Sequence, residues 1–506
     1  MSATTRNPHD HHGADAPCTA QQALSALWQQ AGLPMQALER AHLHGVAMGF
    51  PSSFAVDVAA QTAVAAAALA ASEIERLRSP ASAPQRVSVD VQHALAESTG
   101  YFTLDGERPP VWSPVSGLYA CGEDTDQPGH VRIHANFAHH RDGALRLLGL
   151  PEGEGTTREQ VRQALRRWTA VDFESQATQA GLVVAAVRTS AEWLASPVQA
   201  AIAAQELVGI TRVADAKPLA WPAHSGKQRP LAGLKVLDLT RILAGPVGAR
   251  TLAAYGADVL MINSPHLPNI EAIADVSRGK RSAWLDLKDA AASATMRRLL
   301  QEAHVFIQGY RPGGLQRLGL GVSEVAQIRP GIVYASLSAY GREGPWADKR
   351  GFDSLVQTVS GINSDEAAAF QSAEPRALPM QTLDYCAGFL LAFGVQVALM
   401  RQAGQGGTWH VQVSLARVAQ WLRQLGRRPV AGQGAPGKVD ERVAPWLRAE
   451  PSGFGALQAV THAGMLSATP SGWDRPSVPR EPIRPHGFKT TPNERATRGQ
   501  GAGAGT

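Results

Sequence analysis

The sequence predicts an α/β protein in which a doubly wound parallel sheet is joined to a smaller α+β domain. Three observations carry this expectation. Residues 231–263, LAGLKVLDLTRILAGPVGARTLAAYGADVLMIN, read as one β-α-β unit. Short apolar runs then keep alternating with helical segments as far as IVYASL. Between 101 and 205 the pattern changes, to short strands between turns and then helices. Alternating elements joined by short loops favour a parallel sheet covered on both faces.

In the organising unit, Lys235 to Leu239 form a mostly apolar run that suits a buried parallel strand. The turn Thr240 to Pro246 leads into a helix over Val247 to Ala254, Gly256 stops it, and Ala257 to Ile262 make the next strand. An arginine and a glycine in that turn would let an anionic ligand meet free N–H groups at a helix start; there is no GxGxxG, and a ligand-binding turn is favoured over the alternative of a merely tight one. The series continues with SAWLDL as strand, Ala290 to Gln301 as helix, HVFI as strand, Glu324 to Ile328 as helix and IVYASL as strand. Polar groups collect after the strands, at Arg241, at Gln308 to Gly313 and at Ser338 to Gly341; in an open sheet such ends line one crevice.

The expected organisation is a disordered N-terminus (1–20), a helical segment that resembles a partial repeat (21–100), a small α+β domain (101–205), a linker (206–228), the sheet-bearing domain (229–425), and a linker with a largely disordered tail (426–506), broken by a helix across 441–461. The repeat is suggested by two stretches, one beginning at Asp57 and one at Asp384, that share the order carboxylate, apolar helix, basic end, loop and alternating strand.

Composition narrows the class. The formal charge of +5 is spread out, with no basic run interleaved with aromatics, which favours anionic small ligands over nucleic acid. Cys18, Cys121 and Cys386 are few and far apart, so no disulfide framework is expected and a reducing cytoplasm is the default. The N-terminus lacks a secretion pattern, and Val58 to Ala71 is too short for a membrane span. His9, His11 and His12 have no metal-ligand spacing, and no metal is expected; His139 and His140 read as surface or packing residues.

Asp384 precedes the apolar run CAGFLLAFGVQVALM. A carboxylate there can cap backbone N–H groups, or it can be held charged and aimed as a nucleophile towards an acyl thioester. No GxSxG occurs, and Cys386 lacks an evident histidine partner. The turn Arg278-Gly279-Lys280-Arg281 reads equally as a phosphate-binding cluster and as a solvated surface turn.

The blocks RPLAGLKVLDLTRILAGPVGARTLAAYGADVLMIN, RGKRSAWLDLK, YRPGGLQRLGL, RPGIVYASLSAYGREGPWADKRGFDSLVQTVSGI and LPMQTLDYCAGFLLAFGVQVALMR, in this order across much of 229–401, resemble the family III (CaiB/BaiF-type) CoA transferases. The resemblance implies a Rossmann-like CoA-binding domain with a smaller domain, an interlocked homodimer, and transfer of CoA between carboxylic acids through an aspartyl anhydride and an aspartyl-CoA thioester. Coenzyme A or acyl-CoA would be a substrate beside a carboxylic acid acceptor, with no tightly bound cofactor. It also implies roles for residues: Asp384 as nucleophile, Arg241 and Ala244 in the first CoA loop, Lys280 in the adenine or phosphate region, and Tyr310 with Arg311 beside the CoA arm. Departures are Asn263 where the family commonly has glutamate, a small domain that precedes the CoA-binding block, a tail from Arg480 without counterpart, and no stretch matched to the glycine-rich loop of some members. The chain thus resembles a tandem or permuted member with an incomplete first copy. An acyl-CoA racemase of the same fold and an inactive acyl-CoA-binding protein are the alternatives.

Overall fold

The computed structural model describes residues 18–224, 227–431, 433 and 438–478. The N-terminal histidines and the segment from residue 479, including the tail expected to be disordered, lie outside the described residues.

A seven-stranded sheet organises the chain. Its strands are β1 (Gly209–Ala214), β2 (Lys235–Leu239), β3 (Asp258–Asn263), β4 (Arg281–Trp284), β5 (Val305–Gln308), β6 (Val333–Ser338) and β7 (Thr408–Ser414). Their order is β4-β3-β2-β5-β6-β7-β1, parallel from β4 to β7 with β1 as an antiparallel edge. The chain winds from β2 outward to β4, returns to β5 beside β2, and winds outward the other way. A crevice therefore opens beyond the carboxyl ends of β2 and β5, where ligands bind in open α/β sheets. The expected strands are all present. The edge strand β1 lies instead in the stretch read as a linker: it is short and largely solvent-facing, so its residues show no apolar run, and only pairing with β7 defines it.

Three helices place the site. Helix α1 (Val56–Arg78) and helix α3 (Thr382–Gln405) pack against each other, and α2 (Ala244–Ala254) packs against α3. Helix α3 has the length and apolarity of a membrane span, but it is buried from Thr382 to Leu399 inside the fold, so its apolar surface is core. Helices α2 and α3 meet backbone to backbone. A Cβ on Gly388 would lie 2.6 Å from the Ala244 carbonyl oxygen, and one on Gly248 would lie 2.9 Å from that of Gly388. Only glycine allows this approach, which brings the start of α3 beside the loop that follows β2.

The small domain holds an antiparallel sheet of Gly117–Cys121, Gly129–Ile133 and Val184–Ala186 with helices Ala138–Leu148, Arg158–Leu165 and Ala170–Gln179 around its own apolar core. The region after 426 departs from expectation. No long helix spans 441–461; strands Leu447–Ser452 and Gly455–Val460 form a hairpin that pairs with Phe102–Leu104, and Met465–Leu466 pairs with Val87–Asp90. A buried polar knot anchors this return. The carboxylate of Glu97 accepts the Ala463 N–H at 2.8 Å, contacts His462 Nδ1 at 3.0 Å and pairs with Arg250 Nη2 at 3.0 Å.

Candidate active site

A cavity of about 380 Å³ occupies the crevice at the β2/β5 switch point. Arg241, Ile242 and Ala244 after β2 form one wall, and Tyr310 and Arg311 after β5 form a second. Phe137, His139 and His140 from the small domain and Lys349 to Phe352 close the remaining sides, with Asp384 from the first turn of α3 among the lining groups. Five of the six residues singled out in the sequence are thus brought to one cavity.

The first wall is braced from behind. Asp238 Oδ1, inside β2, accepts the Thr240 N–H at 2.9 Å and its hydroxyl, and Oδ2 takes Lys280 Nζ at 2.8 Å. Lys280 Nζ also donates to the Pro246 carbonyl at 2.9 Å, so one ammonium ties both ends of the loop that carries Arg241 and Ala244. Within that loop Ile242 has φ of 76°, a left-handed conformation unfavourable for a β-branched residue. Such strain persists where surrounding structure enforces it, commonly at ligand-facing segments. Arg241 donates to the Pro268 carbonyl and lies over the Phe137 ring at 5.9 Å, which links the loop to the small domain.

Lys280 corrects the sequence reading. It is fully buried with its charge committed to Asp238, so it cannot meet a phosphate from outside. Arg278 is also buried, ion-paired with Asp275 and stacked over Trp473 at 3.9 Å. The basic turn is neither a phosphate cluster nor a solvated surface turn; it is core. Asn263 is occupied as well, donating to Ser282 Oγ at 2.9 Å and accepting from Asn269 at 3.1 Å.

Asp384 is 9 % exposed. It does not cap its own helix. That task falls to Asp353, a residue the sequence reading did not single out: its Oδ2 accepts the Asp384 N–H at 2.9 Å, and it also takes the Leu383 N–H and the Gln357 amide. No side-chain cap bonds at Gln381, the position preceding α3. The Asp384 carboxyl is therefore left facing the cavity without a hydrogen-bond partner among the described residues. Burial pushes its pKa well above the ordinary carboxylate range, and the negative charge of Asp353 adds to this. Asp353 is also raised by burial, opposed by its N–H donors and by Arg132. The pair is one site whose protons are linked.

The two histidines read as surface or packing groups also line the cavity. His140 is buried, contacts Arg350 Nη1 through Nε2 at 3.1 Å, and is pushed down to about 3 by burial and then by the neighbouring charges of His139 and Arg350. Asp57, the counterpart of Asp384 at the start of α1, is instead ion-paired with Arg428 at 2.9 Å. Cys386 is buried and burial raises its thiol, which removes it as a nucleophile. Asp353 and Arg350 were missed because their partners are distant in sequence, and His140, read only as a surface or packing residue, is a packing residue that also lines the cavity; the only local sign was a second carboxylate, Asp353, heading the short helix Asp353–Val359.

The fold and the cavity define a class: a Rossmann-like α/β protein with an unpaired carboxyl group at the ligand end of its sheet. The sequence model of CoA-transferase family III matches residues 231–446. Similar proteins include an acetyl-coenzyme A transferase of Hypoxylon pulicicidum, 33 % identical over 57 % of this chain and 52 % of its own length. A succinate–glutarate CoA-transferase of Agrobacterium fabrum is 32 % identical over 38 % of this chain and 52 % of its own. An acetyl-CoA:oxalate CoA-transferase of Acetobacter aceti is 34 % identical over 37 % and 51 %. The chain spans about half the length of these curated relatives.

Two predictions follow from this geometry. Replacing Lys280 with alanine leaves Asp238 buried and unpaired, and should cost about 3–5 kcal/mol in denaturant unfolding. A group whose folded pKa is raised adds stability at low pH and loses it as pH rises through that pKa. D384N should therefore match the parent in acid and become more stable than it, by about 1–3 kcal/mol, as pH rises past the Asp384 titration; parallel melts across pH check this.

Proposed function

We propose that the chain moves CoA between carboxylic acids with Asp384 as nucleophile. The observation that carries the reading is the division of labour between two carboxylates: Asp353 satisfies the helix N–H groups, so Asp384 is held at the same helix start with its own oxygens available.

Arg241 and Arg311 sit on the loops after β2 and β5, where the phosphates of CoA would meet charge-assisted donors, and Ala244 and Tyr310 shape the passage between them. The ionised Asp384 oxygen attacks the thioester carbonyl and the C–S bond breaks, giving a mixed anhydride and CoA thiolate. The thiolate attacks the aspartyl carbonyl, and the first acid leaves with the bridging oxygen. The incoming carboxylate then attacks the aspartyl thioester, and the returning thiolate takes its acyl group, which frees Asp384. A carboxyl group made more basic by burial is the better nucleophile once ionised, and the low-dielectric cavity keeps water from the anhydride.

The tandem reading is supported by shared order. Helix α1 is followed by strand Val87–Asp90 and a helix capped by Asp90, as α3 is followed by β7 and a helix capped by Ser414. The small domain that follows the first unit supplies Phe137 and His140 to the cavity of the second. With Asp57 tied to Arg428, we assign one working site per chain, at Asp384.

The test is to incubate the protein with an acyl-CoA, trap with hydroxylamine, digest, and weigh the peptides. Modification confined to the peptide containing Asp384, and absent from D384N, is expected. An unmodified peptide while CoA demonstrably binds would contradict the proposal.

A further inference from the structure

Three polar side chains stand in line across three interior strands of the sheet. Gln308 of β5 is paired with Ser336 of β6, and His410 of β7 is paired with Tyr334, two residues before Ser336, so all three point to one face. That face is otherwise apolar: Phe306 and Tyr334 meet edge to face, and Tyr334 meets the His410 ring in the same way at 5.4 Å. Gln308, Ser336 and His410 are all buried. Polar groups in such a place are costly unless every partner is supplied.

Here the partners form a chain with one direction. The Tyr310 N–H, which can only donate, gives its hydrogen to Gln308 Oε1 at 2.7 Å. That fixes the amide, whose Nε2 donates to Ser336 Oγ at 3.1 Å. Ser336 then has its own hydrogen to place, and the one other side chain bonded to it among the described residues is His410, through Nε2 at 2.9 Å. Burial, and then the charge of Arg342, push His410 down to about 4, so its ring is neutral at ordinary pH and Nε2 is free to accept. The chain thus joins the histidine to the start of the loop that lines the cavity with Tyr310 and Arg311. Removing the acceptor at the far end reverses the order. The Ser336 hydroxyl is left with only the Gln308 side chain to donate to, which turns the amide and sets its NH2 against the Tyr310 N–H. Two donors then face each other, and the start of the loop loses its bond.

We propose that His410 is a positioning residue: by accepting from Ser336 it holds the Gln308 amide in the orientation that fixes the Tyr310 N–H, and so sets the loop that carries Tyr310 and Arg311 against its ligand. This rests on the transferase reading only for the identity of that ligand, CoA; the chain itself is read from hydrogen exchange. In the full chain, H410V keeps a strand-forming residue in β7 while removing the acceptor, and H410Q returns an acceptor. Amide exchange at Tyr310, followed by NMR, should be slow in the parent and in H410Q, and about tenfold or more faster in H410V. Adding S336A to H410V removes the hydroxyl that turns the amide, and should bring protection back, which a simple loss of packing would not do. CoA affinity by calorimetry should follow the same order, about fivefold to tenfold weaker in H410V and within about threefold of the parent in H410Q and in the double variant. Where transfer is measured, KM for acyl-CoA should rise in H410V by a larger factor than kcat falls, because Asp384 lies on α3, outside the chain. Unchanged Tyr310 exchange in H410V, or a double variant worse than H410V, would overturn the proposal. Lost protection with unchanged CoA affinity would confine His410 to a structural role and equally overturn it. A parent that binds no CoA, with Tyr310 exchange in the expected order, would uphold the chain while removing the transferase reading.

Discussion

The acceptance of the Asp384 and Leu383 N–H groups by Asp353 is the constraint on which the site depends. A helix start offers free donors, and a carboxylate in its first turn is ordinarily drawn to them. Here a carboxylate from a different helix takes those donors, 31 residues away in sequence. Asp384 is left near the helix terminus, buried, beside a like charge and without its own hydrogen bonds among the described residues. Burial, the like charge and the missing hydrogen bonds each cost stability and each make the carboxyl group more basic, against the helix start, which favours the anion. Strain of this kind suits a nucleophile better than a structural residue.

The rest of the fold delivers that carboxyl to the ligand end of the sheet. The glycine contact between α2 and α3 sets the distance, because a side chain at Gly388 would collide with the Ala244 carbonyl. The Asp238–Lys280 pair then holds the loop above it, although Ile242 stands in an unfavourable conformation. The small domain closes the cavity with aromatic and imidazole groups, so its walls come from two domains of the chain.

Much of this was legible in the sequence. Parallel strands buried on both faces appear as apolar runs, and the loops after β2 and β5 could be placed in one crevice from topology alone. Asp384 could be singled out, but its two readings could not be separated, because the group that relieves it of capping is not local. Lys280 was misjudged for the same reason: its counter-ion lies 42 residues away, and basic spacing does not distinguish a phosphate site from a buried ion pair. The edge strand β1 and the hairpin of 447–460 escaped because they have little apolar pattern of their own and are defined by distant partners. His140 and Arg350 gain meaning only when two domains meet.

The central claim, that Asp384 exchanges its own oxygen with the acids it serves, has a direct measurement. The protein is turned over with unlabelled acyl-CoA and an acceptor acid whose carboxylate carries the heavy oxygen isotope, and the peptide containing Asp384 is then weighed. In the proposed sequence the bridging oxygen of the second anhydride comes from the acceptor and stays on the aspartate when thiolate takes the acyl group. Heavy oxygen should therefore accumulate on Asp384 with turnover, and on no other carboxylate, Asp353 and Asp57 included. Product acyl-CoA forming while Asp384 stays unlabelled would contradict the account, since the oxygen would then never have passed through the aspartate.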